Sequence, residues 1–154
     1  MGNEEKKKVD LGELKTKEEK KEQPKTELKL EYTFQANPSD LYDCLVNQQR
    51  VCMYTRSAAQ IEAKAGGQFS LYGGSIVGEI VELEKDCRIV MRWKLKDWSS
   101  FSTVTFTMAK HNGTKLTLTQ KDIPSADYER TRSGWNNYYW TPIRAVFGYN
   151  FESK

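Results

Sequence analysis

At 154 residues the chain has room for one domain and an appendage. Its net charge of +3 is too mild for the strongly basic footprint of a nucleic-acid binder, and no apolar run approaches the ~20 residues that cross a bilayer. Three cysteines, none in a CxxC pair, and a single histidine argue against a disulfide framework or a zinc site. They fit free thiols in a reducing, cytoplasmic compartment, with neither metal nor cofactor expected.

Residues 1–27 carry eight Lys and eight Asp or Glu and no aromatic residue. Val9, Leu11 and Leu14 are too few to offset the entropy of ordering this segment, and Pro24 would interrupt any transient helix. The stretch reads as a disordered charged tail or linker that lacks the apolar core of a secretory signal, with the folded domain running from 28 to 154.

LKLEYTF (28–34) alternates strictly and predicts a half-buried strand. NPSDLYDCLV then supplies a helix start, with Asn37 as cap, Pro38 at the first helical position and Asp40 near the positive end. QQRVCMYT reads as a second short helix. A run of strands follows: SAAQIEA, QFSLY, SIVGEIVELE, CRIVMRWKLK, FSTVTFTMA and KLTLTQ, punctuated by two Gly-Gly pairs and by Asn112-Gly113. Ile89, Met91, Trp93 and Leu95 face one side of their strand, as do Val104, Phe106 and Met108 of theirs. Sequential hairpins make the sheet antiparallel, with one wet face lined by Thr and Lys and one dry face in need of cover.

Aromatic residues and arginines interleave in RTRSGWNNYYWTPIRAVFGYNF (130–151), a composition shared by stacking platforms for single-stranded nucleic acid. At 100° per residue, however, Tyr128, Trp135, Tyr139, Pro142 and Val146 fall in one narrow arc, opposite Arg130, Asn137, Thr141 and Arg144. That is an amphipathic helix whose rings cover the dry face of the sheet. Arg132 lies about 40° from the centre of the arc, so it is expected to be partly buried and paired. Trp140 and Phe147 lie at its edge, and Pro142 should kink the helix.

No site recommends itself for catalysis. His111 sits at a hairpin turn, and no nucleophile–base pair or phosphate-binding loop is present. The surface of most interest is MRWKLKDW, where alternation turns Arg92, Lys94 and Lys96 outward, with Trp98 just past the strand end. A solvated strand face is the plain reading. An exposed Trp beside three cations also suits a protein-binding surface, for which Arg132, Trp140 and Phe147 are further candidates.

The strings IVMRWKLKDW, IPSADYERTRSGWNNYYW and FGY, with the Gly-Gly-bounded strands and SIVGEIVELE in the same order, resemble the C-terminal domain of the activator of the heat-shock-protein-90 ATPase family. The likeness runs from about Tyr32 to Phe151. It implies an α+β helix-grip fold of the START-like kind: a curved antiparallel sheet of six to seven strands, two short helices, and a long C-terminal helix across the concave face. It also implies a monomeric co-chaperone that binds heat-shock protein 90 and stimulates its ATPase without catalysing anything itself. In that family the C-terminal domain touches the chaperone's dimerised nucleotide-binding domains, a separate N-terminal domain grips the middle segment, and together they favour the closed state. The N-terminal domain's Asn- and Trp-rich motif is missing here and residues 1–27 look like the inter-domain linker, so binding is expected more firmly than strong stimulation. The alternative from the wider superfamily is a small hydrophobic ligand-binding or transfer domain. Against it, Trp93, Phe106, Met108, Trp135 and Tyr139 are bulky enough to predict a solid core.

Overall fold

The computed structural model describes residues 24–154, so the tail expected at 1–27 lies, up to residue 23, outside the described residues. Strand β1 (Lys25–Phe34) begins three residues before the expected boundary. Lys25 and Thr26 pair with Pro124 and Ile123, and a bulge precedes Leu28. These residues are held by the backbone ladder while their charged neighbours stay in solvent, so composition alone could not place them in the sheet.

Two short helices follow, α1 (Pro38–Val46) and α2 (Gln48–Thr55), then β2 (Gln60–Ile61), β3 (Gln68–Leu71), β4 (Ile76–Glu84), β5 (Arg88–Leu95), β6 (Ser102–Lys110) and β7 (Thr114–Pro124). The C-terminal helix comprises α3 (Tyr128–Trp135), a π-turn (Asn136–Trp140) and α4 (Thr141–Phe147), and the chain returns to the sheet as β8 (Phe151–Ser153). The eight strands form one antiparallel sheet in the order β2-β3-β4-β5-β6-β7-β1-β8. The α+β helix-grip architecture is therefore as expected. The strand expected in SAAQIEA is present only as the two-residue β2, and the one strand beyond the expected six to seven is the edge strand β8, too short to carry a period.

Asn37 does not cap α1 through its side chain. Its Oδ1 instead accepts from Lys110 Nζ at 2.8 Å, tying the helix start to the end of β6. Asn47 caps α2, accepting from the Arg50 N–H at 3.0 Å. Gly78 in β4 is required by packing, since a Cβ there would run into the Arg92 carbonyl and the ring of Phe69.

The concave face is lined by alternate residues of β1, β5, β6 and β7, and the C-terminal helix lies across it. Trp135 is 1% exposed. It meets Tyr139 at 4.6 Å, Trp93 at 5.3 Å and Phe106 at 5.6 Å between ring centroids. Its indole N–H donates to Gln120 Oε1 at 2.9 Å. Gln120 Nε2 donates to Ser102 Oγ at 3.0 Å, and the Ser102 hydroxyl donates to the Trp93 carbonyl at 2.6 Å. The Trp93 indole N–H in turn reaches the Tyr139 hydroxyl at 3.1 Å. Three aromatic residues are thus buried without leaving these polar atoms unpaired.

Pro142 does not break the helix. Its missing N–H would have served the Tyr138 carbonyl four residues back, and two features absorb the loss. The Thr141 N–H reaches the Asn136 carbonyl five residues back, widening the turn, and the Tyr72 hydroxyl donates to the Tyr138 carbonyl at 2.7 Å. The extra residue in the turn rotates the downstream helix by about 100° relative to an unbroken α-helix. That moves Trp140 from the expected edge into the core, 0% exposed between Tyr32 at 5.5 Å and Phe34 at 5.3 Å.

Trp135→Ala should cost about 3–5 kcal/mol in chemical denaturation, the usual loss for truncating a buried large aromatic. Tyr72→Phe, which deletes the hydroxyl that replaces the proline's missing donor, should cost about 0.5–1.5 kcal/mol. Burial pushes the Tyr72 phenol up to about 12, so its contribution is complete below the unfolded value near pH 10 and is lost as pH rises towards 12. Stability measured from pH 9 to 12 should accordingly fall less steeply in Tyr72→Phe than in the parent.

Candidate functional site

The expected basic row divides in two. Arg92 and Lys94 project from the outer face of β5 and both reach Phe101, their charged ends 4.7 and 5.7 Å from its ring centroid. Arg92 makes only a long contact with Glu79, at 3.9 Å, between two well-exposed side chains. Lys94 is committed locally: its ammonium donates to the carbonyls of Trp98 at 3.0 Å and Lys96 at 3.3 Å, stapling the β5–β6 turn. Lys96 lies beyond the strand end, where its backbone N–H bonds the Ser75 carbonyl at 3.0 Å, and it borders a cleft.

Trp98 is not exposed as expected. At 5% exposure its ring packs edge-on against Trp93 at 5.7 Å, and its indole N–H donates to Asp127 Oδ2 at 2.7 Å. The turn after β5 folds inward here, and Asp127 at the start of α3 satisfies the indole. Sequence alternation stops at the end of a strand and could not show this. Arg132 is also corrected: it is exposed and has no ion pair among the described residues. The inner face runs from Thr131 to Trp135 in α3 and on to Tyr139 in the π-turn, which leaves Arg132 about 100° round from Thr131 and outside that face. Phe147 is half-buried in a separate shell, stacked on Tyr149 at 5.6 Å with the Arg50 guanidinium 5.1 Å from its centroid. Of the seven candidate residues, then, Arg92 and Lys94 stand together and Lys96 lies near them at the cleft. Arg132 and Phe147 lie on the helix, and Trp98 and Trp140 are interior.

The expected solid core is only partly realised. The bulky residues named for it are buried, yet a cleft of about 430 Å³ remains between α3 and the ends of β4 and β5. Trp93 and Trp135 fill the middle of the interior, while Gly134, Thr131 and Ser75 offer little volume at the open end. The lip is charged: Arg130 Nη2 meets Asp97 Oδ1 at 3.3 Å, and its Nε meets Asp127 Oδ1 at 3.6 Å. Burial raises the pKa of both Tyr139 and Tyr72, so each is a neutral phenol at physiological pH. Gln120, Phe101 and the lip residues were missed from the sequence. Only Gln120 left a signal, as a polar residue at an inward position of KLTLTQ.

The family model described as activator of Hsp90 ATPase homolog 1-like protein matches residues 35–148. The chain is 37% identical over 129 residues to the human activator of 90 kDa heat shock protein ATPase homolog 1, covering 82% of this chain and 38% of the human one. It is 36% identical over 135 residues to the Saccharomyces cerevisiae Hsp90 co-chaperone AHA1, covering 80% of this chain and 38% of that protein. It thus spans well under half the length of these curated relatives. The crystal structure of an HSP90 activator from Plasmodium falciparum superposes with a TM-score of 0.72 at 34% identity, over 83% of this chain and 99% of that one. A Mesorhizobium loti protein at 18% identity, with a TM-score of 0.68, shares the fold. With the helix-grip fold and these matches in agreement, the chain belongs to the Hsp90 ATPase activator homolog 1-like family.

Proposed function

We propose that this domain binds heat-shock protein 90 and favours its closed, ATP-hydrolysing state, acting as a monomeric cytoplasmic co-chaperone that performs no catalysis of its own. The observation that carries the reading is the likeness to the Plasmodium falciparum HSP90 activator, which extends over 99% of that chain. A binding domain raises a partner's turnover only by contacting one of its states better than another. The surface most suited to such contact is Phe101 flanked by Arg92 and Lys94, an aromatic ring rimmed by cations, with Lys96 extending the positive charge towards the cleft. Arg132 adds a further exposed cation on the helix. Opposite charge on the chaperone would steer encounter and fix register more than it would add affinity.

Charge reversal at Arg92 and Lys96 tests this while sparing Lys94, whose ammonium holds the turn. Arg92→Glu with Lys96→Glu should slow association with the purified chaperone roughly tenfold at low salt and flatten its salt dependence. The domain's stability should change by less than about 1 kcal/mol, as for other exposed charges. The chaperone's ATP turnover, measured in the same titration, should rise less than with the parent. Parental association and turnover would move the contact away from this face.

A further inference from the structure

The turn between β5 and β6 leads directly into the Phe101 face, and it is fixed at its start but free at its end. Lys94 holds the carbonyls of Lys96 and Trp98, and Trp98 is buried with its indole on Asp127. Ser99 and Ser100 follow. Both are exposed, and among the described residues neither makes a backbone hydrogen bond in the turn. A modifying enzyme must draw a short extended segment into its cleft, and a surface stretch without backbone bonds gives way most readily. Ser102, fully buried at the start of β6, is closed to such an enzyme.

What Ser100 faces sets it apart from Ser99. Its hydroxyl accepts from Lys25 Nζ at 3.1 Å, and Lys25 has no ion pair among the described residues. The next residue is Phe101, whose ring carries Arg92 at 4.7 Å and Lys94 at 5.7 Å. Adjacent Cα atoms are about 3.8 Å apart, so a group on Ser100 stands on the order of 10 Å from those two cations, about one Debye length. The nearby acids offset them weakly: Glu79 lies 3.9 Å from Arg92, and Asp97 is engaged by Arg130 at 3.3 Å. A phosphate carries a charge of about −1.5 to −2 at pH 7, enough to cancel most of what the face presents.

We propose that Ser100 is a regulatory phosphorylation site, whose phosphate takes Lys25 as counter-ion and turns the Phe101 face from cationic to near neutral, closing it to an acidic partner. The donor is ATP in the cleft of a serine kinase. Ser100 Oγ forms a bond to the γ-phosphorus, the bond from that phosphorus to the β–γ bridging oxygen breaks, ADP leaves, and the hydroxyl proton passes to the kinase's carboxylate base. The inference rests on the reading of this face as the chaperone contact, and it gives that contact a switch.

The folded full chain is first incubated with ATP and, in turn, purified serine kinases of basophilic and of acidophilic specificity, with the phosphate mapped by mass spectrometry. Phosphate at Ser100 from at least one of them is expected; none from either class would overturn the proposal. The chain carrying phosphoserine at position 100, incorporated during translation, is then titrated by phosphorus-31 NMR. Its second ionisation should lie below the ordinary value of about 6, and Lys25→Met should restore that value. The same ionisation with and without Lys25 would remove the counter-ion, and the proposal with it. Last, association with the purified chaperone is measured at low salt. The phosphorylated chain should associate roughly tenfold more slowly than the parent, and Ser100→Ala at the parental rate. A parental rate for the phosphorylated chain beside a slowed Arg92→Glu with Lys96→Glu variant would sink the switch and leave the chaperone contact standing. Parental rates for both would overturn the contact itself, and the switch falls with it.

Discussion

A helix laid across a curved sheet traps whatever polar atoms its large side chains carry, and at the centre of this interface the contact between the Trp135 indole and Gln120 settles that difficulty, whereas the indole nitrogen of the buried Trp140 is left without a partner among the described residues. Gln120 is fully buried, and its amide faces two ways, accepting from the helix and donating to Ser102 on the neighbouring strand. Ser102 passes the chain of bonds to the Trp93 carbonyl, and the Trp93 indole passes it back to Tyr139 on the helix. The loop is closed, so helix and sheet have one mutual position in which every one of these groups is satisfied. Apolar packing alone would tolerate sliding; a closed set of buried hydrogen bonds does not.

Two further clips fix the helix along its length. At its start, Asp127 receives the indole N–H of Trp98 and also faces Arg130, coupling the turn after β5 to α3. In its middle, Tyr72 serves the carbonyl that Pro142 cannot. Between them lies the cleft, where the helix spans the sheet without filling the gap. The same clips hold Lys94 and Lys96 in place at the strand end, so the outward cations are presented by a stiff support. A partner that engages them gives up little conformational entropy in this domain.

Most of the architecture was written in alternation and turn residues. The inward sets of β1, β5, β6 and β7, the Asn112-Gly113 hairpin and the placement of Trp135 and Tyr139 were all legible, because burial on one face of a sheet imposes period two and a covering helix imposes 3.6. The wheel failed at Trp140 because it assumes a constant angle per residue, and the π-turn inserts a residue. Arg132 lies before that turn: the stripe was drawn through large apolar residues alone, and the small polar Thr131, the buried residue beside it, marks the other border of the inner face. Trp98 was misplaced because its environment is made by Asp127, 29 positions away in sequence, and no local pattern reports such a contact. The cleft was hidden for a related reason, since counting large residues says how much volume is supplied but not where it is missing.

The two ends of the sheet have a consequence for the company this domain keeps. Among the described residues, the sheet terminates in β2, two residues long, and β8, three residues long with Glu152 and Ser153 in solvent. β8 covers only Tyr32–Phe34 of β1, so the outer side of β1 from Lys25 to Leu30 has no strand partner among the described residues. Extended chains that have not yet folded seek open backbone to pair with, and a long bare edge would capture them. Lys25, Glu27 and Lys29 stand exposed along this open stretch, and charged side chains on an edge oppose such pairing. The margin left without a neighbour is thus guarded by charge where it is not guarded by brevity.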